Sequence, residues 1–153
     1  MRLQGQEQIE APIQTVFTSL TDPRVLSKTL PGLQSLEPTD ANTYRARLSV
    51  GIAAVRGAFD GMLILRELEP PTAYALYMTA RGAGGVVEVT LRVHLAEDAN
   101  SVTRIEYTGE AALSGVWAAL GSRMASGVAQ TLIRQFFTAL RQEVRSLASA
   151  ATS

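Results

Sequence analysis

Cysteine is absent from this chain of 153 residues, and histidine occurs once, as His94. The lack of cysteine excludes disulfides, thiolate nucleophiles, iron–sulfur clusters and zinc-ribbon sites. A transition-metal site would then depend on clustered carboxylates, and the sequence shows no such cluster. We therefore expect no metal and no covalently bound cofactor. A cysteine-free chain also fits a reducing compartment, so we expect a cytoplasmic protein.

An excess of charge of either sign is missing too, because 14 lysines and arginines balance 14 aspartates and glutamates. We therefore expect no nucleic-acid partner. The most apolar window, residues 111–120, is much shorter than the run of about 20 residues that spans a membrane. The N-terminus has no apolar run of the kind found in secretory signals. Hydrophobic residues still make up 46% of the chain, which predicts one globular domain with a sizeable core.

The segment 115–147 predicts the longest helix of the chain. Its apolar residues recur three or four positions apart, which is the period of an amphipathic α-helix. Gly121 and Gly127 lie in the first half and predict a looser or kinked stretch with space beneath it. Bulky residues are expected to fill the space under the second half: Phe136, Phe137 and Leu140. The sequence thus places a cavity under residues 117–131 and a filled core under residues 132–147.

Most of the chain before this helix shows the pattern of β-strands. Residues 2–10 alternate weakly, and two short helices follow over residues 12–26. From Leu33 onward apolar and polar residues alternate, as they do in antiparallel strands with one face in water. Such a meander has one apolar face, which must close on another element.

The order of these elements predicts an α+β fold. A curved antiparallel sheet of about seven strands surrounds the long C-terminal helix, and two short helices follow the first strand. Residues 1–148 form a single domain, and residues 149–153 are expected to be a frayed tail. The tight connection 51–57 carries an apolar tip at residues 52–55.

The inner surface between sheet and helix is the candidate ligand site. Its predicted lining is Leu48, Val50, Leu63, Met78, Val89, Leu91, Tyr107, Leu120, Met124 and Val128. The periodicity is equally compatible with a plain core helix. Ser122 and Arg123 interrupt the apolar row, so they are candidates for contact with a ligand headgroup or for a bond to a neighbouring loop or strand carboxylate. The Leu30-Pro31-Gly32 turn is the alternative place for the headgroup. The hydroxyls of Tyr44, Tyr74 and Tyr107 could donate to a carbonyl-bearing guest.

Residues with catalytic potential are predicted to point away from this surface. The strand alternation puts His94, Glu106 and Glu110 on the outer face, with Glu106 and Glu110 beside Arg104. The glycine-rich stretch 82–85 is followed by neither a lysine nor a helix, so it predicts a hairpin turn and not a phosphate cradle. We therefore predict no catalytic residue.

Several motifs resemble those of the CoxG family, the G subunits of carbon monoxide dehydrogenases, within the START and birch-pollen-allergen (SRPBCC) superfamily. The most specific match lies in the long helix, where LGSRM at 120–124 and QFF at 135–137 resemble the family's LGSR…QFF pattern. The remaining matches are LPG at 30–32 followed by Tyr44, FDG at 59–61 and LEPP at 68–71. The resemblance extends over nearly the whole chain.

This resemblance implies a helix-grip fold, in which the sheet grips the C-terminal helix around a cavity for a hydrophobic ligand. Family members accompany molybdenum-containing carbon monoxide dehydrogenases and related hydroxylases. They are associated with holding these enzymes at the inner face of the cytoplasmic membrane, where electrons pass to quinone. Some members carry a C-terminal extension associated with attachment. This chain ends at Ser153, so we expect peripheral membrane contact at most.

Three functions remain open at this point. The first is non-catalytic binding of a quinone or lipid by an accessory subunit of a molybdenum hydroxylase-type dehydrogenase. The second is an enzyme of the cyclase or dehydratase kind, which requires an acid–base residue inside the cavity. The third is a docking protein whose own side chains fill the cavity. A guest retained in the isolated protein separates the first function from the third.

Overall fold

The structure is a computed structural model that describes the backbone of residues 1–52 and 55–152 and the side chains of residues 1–52 and 55–148. Seven strands, two short helices, one 3-10 helix and one long helix make up the described chain. In chain order they are β1 (Arg2–Ile9), α1 (Ile13–Thr21), α2 (Pro23–Thr29), β2 (Leu33–Asp40), β3 (Thr43–Ile52), β4 (Val55–Glu69), β5 (Ala73–Gly82), β6 (Gly85–Glu97), β7 (Thr103–Leu113), the 3-10 helix (Gly115–Leu120) and α3 (Ser122–Thr152).

All seven strands form one antiparallel sheet in the order β1-β7-β6-β5-β4-β3-β2. Successive side chains alternate between the two faces of a strand, and the burial of β3 and β7 follows that alternation. The curved sheet, the two short helices after β1 and the long C-terminal helix confirm the predicted α+β helix-grip fold.

The two ends of the sheet differ in which connections they carry. Because the strands are antiparallel, the β3–β4 and β5–β6 hairpins turn at the same end where β7 leads into the 3-10 helix. We call this the upper end. The β2–β3, β4–β5 and β6–β7 connections and the exit of β1 lie at the other end, which we call the lower end.

Helices α1, α2 and α3 cover the inner face of the sheet. The buried core is formed by side chains of the helices and side chains of the sheet. Val16, Leu20 and Leu140 come from the helices, and Leu63 and Ile105 come from the strands. A hydrogen bond of 2.6 Å from Arg141 Nη2 to Glu7 Oε2 joins α3 to the edge strand β1, and Arg141 Nε also donates to the Gln8 carbonyl at 3.2 Å. Lys28 and Glu143 form an ion pair between α2 and α3 at 3.3 Å. These bonds fix the second half of α3 across the sheet.

The prediction of one continuous helix over residues 115–147 is wrong at its start. Gly115–Leu120 forms the 3-10 helix, and Gly121 ends it with φ 87° and ψ 154°. That conformation is essentially restricted to glycine. The α-helical bonding begins after it, with Ala125 N donating to the Gly121 carbonyl at 3.1 Å. The predicted kink is therefore a break.

Two further predictions concern the end of the long helix and the tip of the β3–β4 connection. Helical backbone continues to Thr152, so most of the segment 149–153, for which we predict a frayed tail, is helical here. Ser153 lies outside the described residues, as do residues 53 and 54 of the predicted apolar tip. Among the helices of the described chain, none combines the length and apolarity needed to cross a membrane.

Candidate functional site

An apolar cavity of about 170 Å³ lies between the sheet and the middle of α3, and it is partly open to solvent. Side chains from every helix except the 3-10 helix, and from the central strands, form its wall. The lining residues are Leu20, Leu26, Leu30, Pro31, Leu63, Leu65, Tyr74, Leu76, Met78, Leu91, Val93, Ile105, Tyr107, Leu132, Ile133, Phe136 and Phe137.

The strand period explains which side chains reach the cavity. Inward positions recur every second residue, so β4 supplies Leu63 and Leu65 and β6 supplies Leu91 and Val93. On β5 the same rule gives three inward residues, Tyr74, Leu76 and Met78, at every second position. Tyr74 is buried and Met78 is half-buried. The wall is therefore a direct product of the alternating sequence pattern.

The structure brings four of the predicted lining residues to this cavity: Leu63, Met78, Leu91 and Tyr107. The other six lie outside its wall: Leu48, Val50, Val89, Leu120, Met124 and Val128. This cavity lies further along the helix than the predicted position under residues 117–131, because the helical part of its wall consists of residues within 132–137. Met124 is 46% exposed, whereas Ala125 and Val128 are buried. The break at Gly121 decides which side of α3 faces the sheet. The sequence pattern assumes one unbroken helix from Trp117 onward and therefore assigns the wrong side to Met124.

Ser122 and Arg123 occupy the first turn of α3, and both side chains are exposed. The cavity begins at Leu132 on this helix, about 14 Å further along the axis at 1.5 Å per residue. The headgroup contact predicted for these two residues is therefore not available in this cavity.

Two tyrosines supply the hydroxyl groups of the cavity wall. Burial raises the pKa of Tyr74, and the Tyr74 ring meets Phe17 edge-on with centroids 5.8 Å apart. Burial and then the charge of Glu7 raise the pKa of Tyr107. Both hydroxyls are therefore protonated at neutral pH and can donate a hydrogen bond. Tyr44, the third tyrosine proposed from sequence, is buried in the core but does not line this cavity.

The Tyr107 side chain has a specific support. Gly5 of β1 is its cross-strand partner, and the Tyr107 hydroxyl lies so closely over the bare Cα of Gly5 that a Cβ there would overlap it. On its other side the ring stacks on Phe137 with centroids 6.0 Å apart. Phe136 meets Phe137 edge-on at 5.2 Å. This aromatic group connects the edge strand to α3 at the cavity wall.

Sequence reasoning missed much of the wall, and some of it had a signal. Leu20 and Leu26 belong to the apolar faces of the short helices, and Leu30 and Pro31 belong to the LPG motif. Leu30 and Pro31 belong to the turn that the sequence suggests as the alternative place for the polar end of a guest, and both line the cavity. The lining residues of α3, within 132–137, lie in the segment under which the sequence predicts a filled core. Their bulk therefore gave no signal for a cavity.

The titratable residues considered from sequence lie on the outer surface. His94, Glu106 and Glu110 are exposed, and Glu106 pairs with Arg104 at 3.3 Å. A polar depression of about 220 Å³ on that face includes His94 and the Glu67–Arg92 ion pair of 3.0 Å. Within the part of the chain that the structure describes, no three histidine, aspartate or glutamate residues are grouped closely enough to hold a metal. The cavity wall thus offers almost entirely apolar contacts, and Tyr74 and Tyr107 are its two lining residues that carry a hydroxyl.

The fold and its cavity define a helix-grip domain of the START and birch-pollen-allergen superfamily, a ligand-binding class. Residues 5–145 match the sequence model of CoxG, the family of the G subunit of carbon monoxide dehydrogenase. The chain therefore belongs to the CoxG family, which confirms the resemblance seen in its motifs.

Solved structures show the same fold. A conserved protein from Geobacillus kaustophilus is 33% identical with a TM-score of 0.92, over 95% of this chain and 96% of that one. The Zhui aromatase/cyclase from Streptomyces sp. R1128 is 15% identical with a TM-score of 0.71, over 99% and 97% of the two chains. Ara h 8.0201 has the same identity and TM-score, 15% and 0.71, over 95% and 98%. The last two show the fold alone. Comparison with curated proteins gives no significant match.

Proposed function

We propose that this protein binds a quinone or another lipid-like molecule without transforming it, as an accessory protein of a molybdenum-containing dehydrogenase of the carbon monoxide dehydrogenase type. The observation that supports this most is the chemistry of the cavity wall, which is apolar except for the hydroxyls of Tyr74 and Tyr107. Membership of the CoxG family supports the dehydrogenase as partner.

The size of the cavity suits one ring of a guest. An engineered cavity of about 150 Å³ in another protein binds benzene, and this one measures about 170 Å³. A quinone ring therefore fits inside, and its isoprenoid tail would leave through the open side. Each methylene that the tail buries adds about 0.8 kcal/mol, so a charged anchor is not required.

The tyrosines favour a guest with carbonyl groups. A protonated hydroxyl in an apolar wall stabilises a carbonyl oxygen by about 0.5–1.5 kcal/mol. The Tyr107 hydroxyl lies over Gly5 of the edge strand, so we assign the hydrogen bond to the guest to Tyr74. A quinone ring offers a carbonyl oxygen to such a donor, whereas the hydrocarbon part of an acyl chain does not.

The two alternatives are less well supported. A cyclase-like enzyme needs an acid–base group at the guest, and the lining residues include no carboxylate, imidazole or amine. A docking protein without a ligand needs a filled interior, whereas the space under residues 132–137 is open.

Calorimetric titration of a short-chain quinone tests the site with a matched pair of variants. Leu91→Trp places a large side chain in the cavity and should lower the affinity at least tenfold, whereas Met124→Trp adds the same side chain on the exposed surface and should leave the affinity unchanged. Thermal unfolding of both variants shows whether they remain folded. Equal binding by the two variants would place the guest elsewhere.

The same assay tests whether a tyrosine hydroxyl bonds to the guest. Tyr74→Phe should weaken quinone binding about two- to tenfold and leave the binding of an alkylbenzene unchanged, since the hydrocarbon has no oxygen that could accept a hydrogen bond. Native mass spectrometry of protein extracted from its own host should show a retained guest. An empty protein that also fails to bind added quinone or fatty acid would favour the docking function instead.

A further inference from the structure

The half-buried residues of the cavity wall show where the cavity opens. Leu20 and Leu26, which α1 and α2 contribute, are only 3% and 4% exposed. Apart from the strands, which form the floor, the half-buried lining residues belong to α3 and to the turn between α2 and β2. They are Leu132, Ile133 and Phe136 on the helix and Leu30 and Pro31 in the turn. Solvent therefore reaches the cavity past this turn and past α3.

One side of α3 is turned toward α2 and the turn. Glu143 pairs with Lys28 of α2 at 3.3 Å. Phe136 and Leu132 lie seven and eleven residues before Glu143, and these spacings return to nearly the same side of a helix with about 3.6 residues per turn. Both side chains therefore face the α2 side. We call the space between them and the turn at residues 30–32 the turn–helix gap.

The contacts that tie α3 to the sheet lie on its other side. Phe137 is buried and stacks on Tyr107 of β7 with centroids 6.0 Å apart. Arg141 donates to the Glu7 carboxylate and to the Gln8 carbonyl of β1. The helix is thus fastened to the sheet on the side away from the turn–helix gap.

The turn that borders the gap is fixed at both of its ends. Leu30 N donates to the Leu26 carbonyl at 3.0 Å, and Ser49 N of β3 donates to the Gly32 carbonyl at 2.8 Å. Gly32 has a φ of 72°, a conformation that favours glycine, and a Cβ there would overlap the Ser49 carbonyl oxygen. Glycine therefore lets the turn lie directly on β3 while Leu30 and Pro31 reach the cavity.

We propose that the guest enters and leaves through the turn–helix gap, and that Gly32 is the positioning residue that sets the width of the gap by holding the turn on β3. Gly32 lies outside the cavity wall and acts through Leu30 and Pro31, its neighbours in the chain. Pro31 holds its own φ near about −65°, so the turn moves as a unit when its contact with β3 is lost. This inference rests on the proposed function, because it concerns the route of the guest that the cavity is proposed to bind.

Exchange kinetics test the role of Gly32. The probe is a benzoquinone with a short alkyl chain, and stopped-flow measurement of the quenching of protein fluorescence gives its association and dissociation rates. Gly32→Ala pushes the turn off β3, so it should raise both rates about fivefold, as the loss of a gate does. Because both rates change in the same direction, the dissociation constant should change less than either rate.

Gly121→Ala is the matched control. Gly121 has a similar φ of 87°, but a Cβ there would meet nothing within 4 Å, and the residue lies outside the cavity wall. Both variants force alanine into a backbone conformation that suits glycine, so both should lower the melting temperature. Only Gly32→Ala should change the exchange rates. Equal rates in the two variants would show that Gly32 supports the fold alone, and its assignment as a positioning residue would be wrong.

A bulky label tests the route itself. The chain has no cysteine, so Gln135→Cys and Gln130→Cys each provide one attachment point for a polyethylene glycol maleimide, and both glutamines are exposed on α3. Gln135 is a surface neighbour of Leu132, three residues away. Gln130 lies eleven residues before Arg141 and therefore on the side of β1. The label at Gln135 should slow association and dissociation about tenfold, and the label at Gln130 should change neither rate.

The outcomes separate the entrance from the binding. Slowing by the label at Gln130, alone or to the same extent as at Gln135, would overturn the proposed route. A parent protein that binds no quinone would overturn the proposed function and this inference with it. A parent that binds quinone with exchange rates insensitive to Gly32→Ala and to the label at Gln135 would overturn the entrance alone.

Discussion

Adding one methyl group to Gly5 should disturb the cavity wall from the far edge of the sheet. An alanine Cβ at this position would overlap the Tyr107 hydroxyl and lie 2.5 Å from the ring carbon that bears it. An ordinary contact of a Cβ atom needs at least 3.4 Å, so the ring or the strand would have to move. The ring cannot simply turn away, because it stacks on Phe137 of α3.

The cost of Gly5→Ala follows from two opposing effects. Overpacking of this kind costs about 1–3 kcal/mol, whereas replacing glycine by alanine in the unfolded chain stabilises the fold by about 0.4–1 kcal/mol. We expect a net loss of about 1–2 kcal/mol of unfolding free energy. At the size of this chain, each loss of about 1 kcal/mol lowers the melting temperature by roughly 2–4 °C.

A double-mutant cycle isolates the contact. In a Tyr107→Leu background no hydroxyl reaches Gly5, so Gly5→Ala should there be neutral or slightly stabilising, and the coupling energy should be about 1–2 kcal/mol. Urea unfolding of the four proteins measures it. Gly127→Ala is the control, because its new Cβ meets nothing within 4 Å on the second turn of α3, and it should stabilise by about 0.5–1 kcal/mol. A coupling energy near zero would refute the contact.

Two further predictions concern ionisable groups. Asp22 Oδ1 accepts a hydrogen bond of 2.8 Å from Arg24 N at the start of α2, so Asp22→Ala should cost about 1 kcal/mol at neutral pH and Asp22→Asn much less. Its hydrogen bond with the Arg24 side chain lowers the pKa of Asp22 in the folded protein. The stabilisation by the ionised carboxylate is therefore fully present above the pKa of the unfolded chain and should be lost as the pH falls through the pKa of the folded protein. Measuring the unfolding free energy as a function of acid pH checks this. Burial raises the pKa of Tyr74, so the unfolded chain loses that proton first and stability should fall as the pH rises above about 10. Tyr74→Phe should flatten this alkaline loss, and an unchanged slope would contradict it.

The fold could be predicted because its signals are local and repeated. Alternation over residues 43–52 and 87–95 fixes which face of each strand is buried, and the burial along β3 and β6 follows it. Ala11-Pro12 and Asp22-Pro23 mark the two short helices correctly. These elements depend on neighbours within a few residues, which a sequence pattern records.

The start of α3 could not be predicted in the same way. A glycine within a helical period is compatible with a kink, a break or an ordinary turn. The choice at Gly121 depends on Trp117, which docks between Phe59 and Gly84 and holds the 3-10 helix in place. Those two partners lie far away in the chain. The rotation of α3, and with it the exposure of Met124, follows from a tertiary contact that periodicity does not contain.

The position of the cavity has a related cause, which reverses the expectation that large side chains fill space and small ones leave it. In the first half of α3 the side chains that turn inward, Ala125 and Val128, are small and buried, so the helix can approach its neighbours closely and leaves little room. At the middle of α3 Phe137 meets Tyr107 ring against ring, and a stack of two rings keeps the helix backbone away from the strands beside it. The space next to the stack, between Leu91 and Ile133, then stays open. Aromatic side chains at a single point of contact act here as spacers, and the ligand cavity is the volume that they keep free.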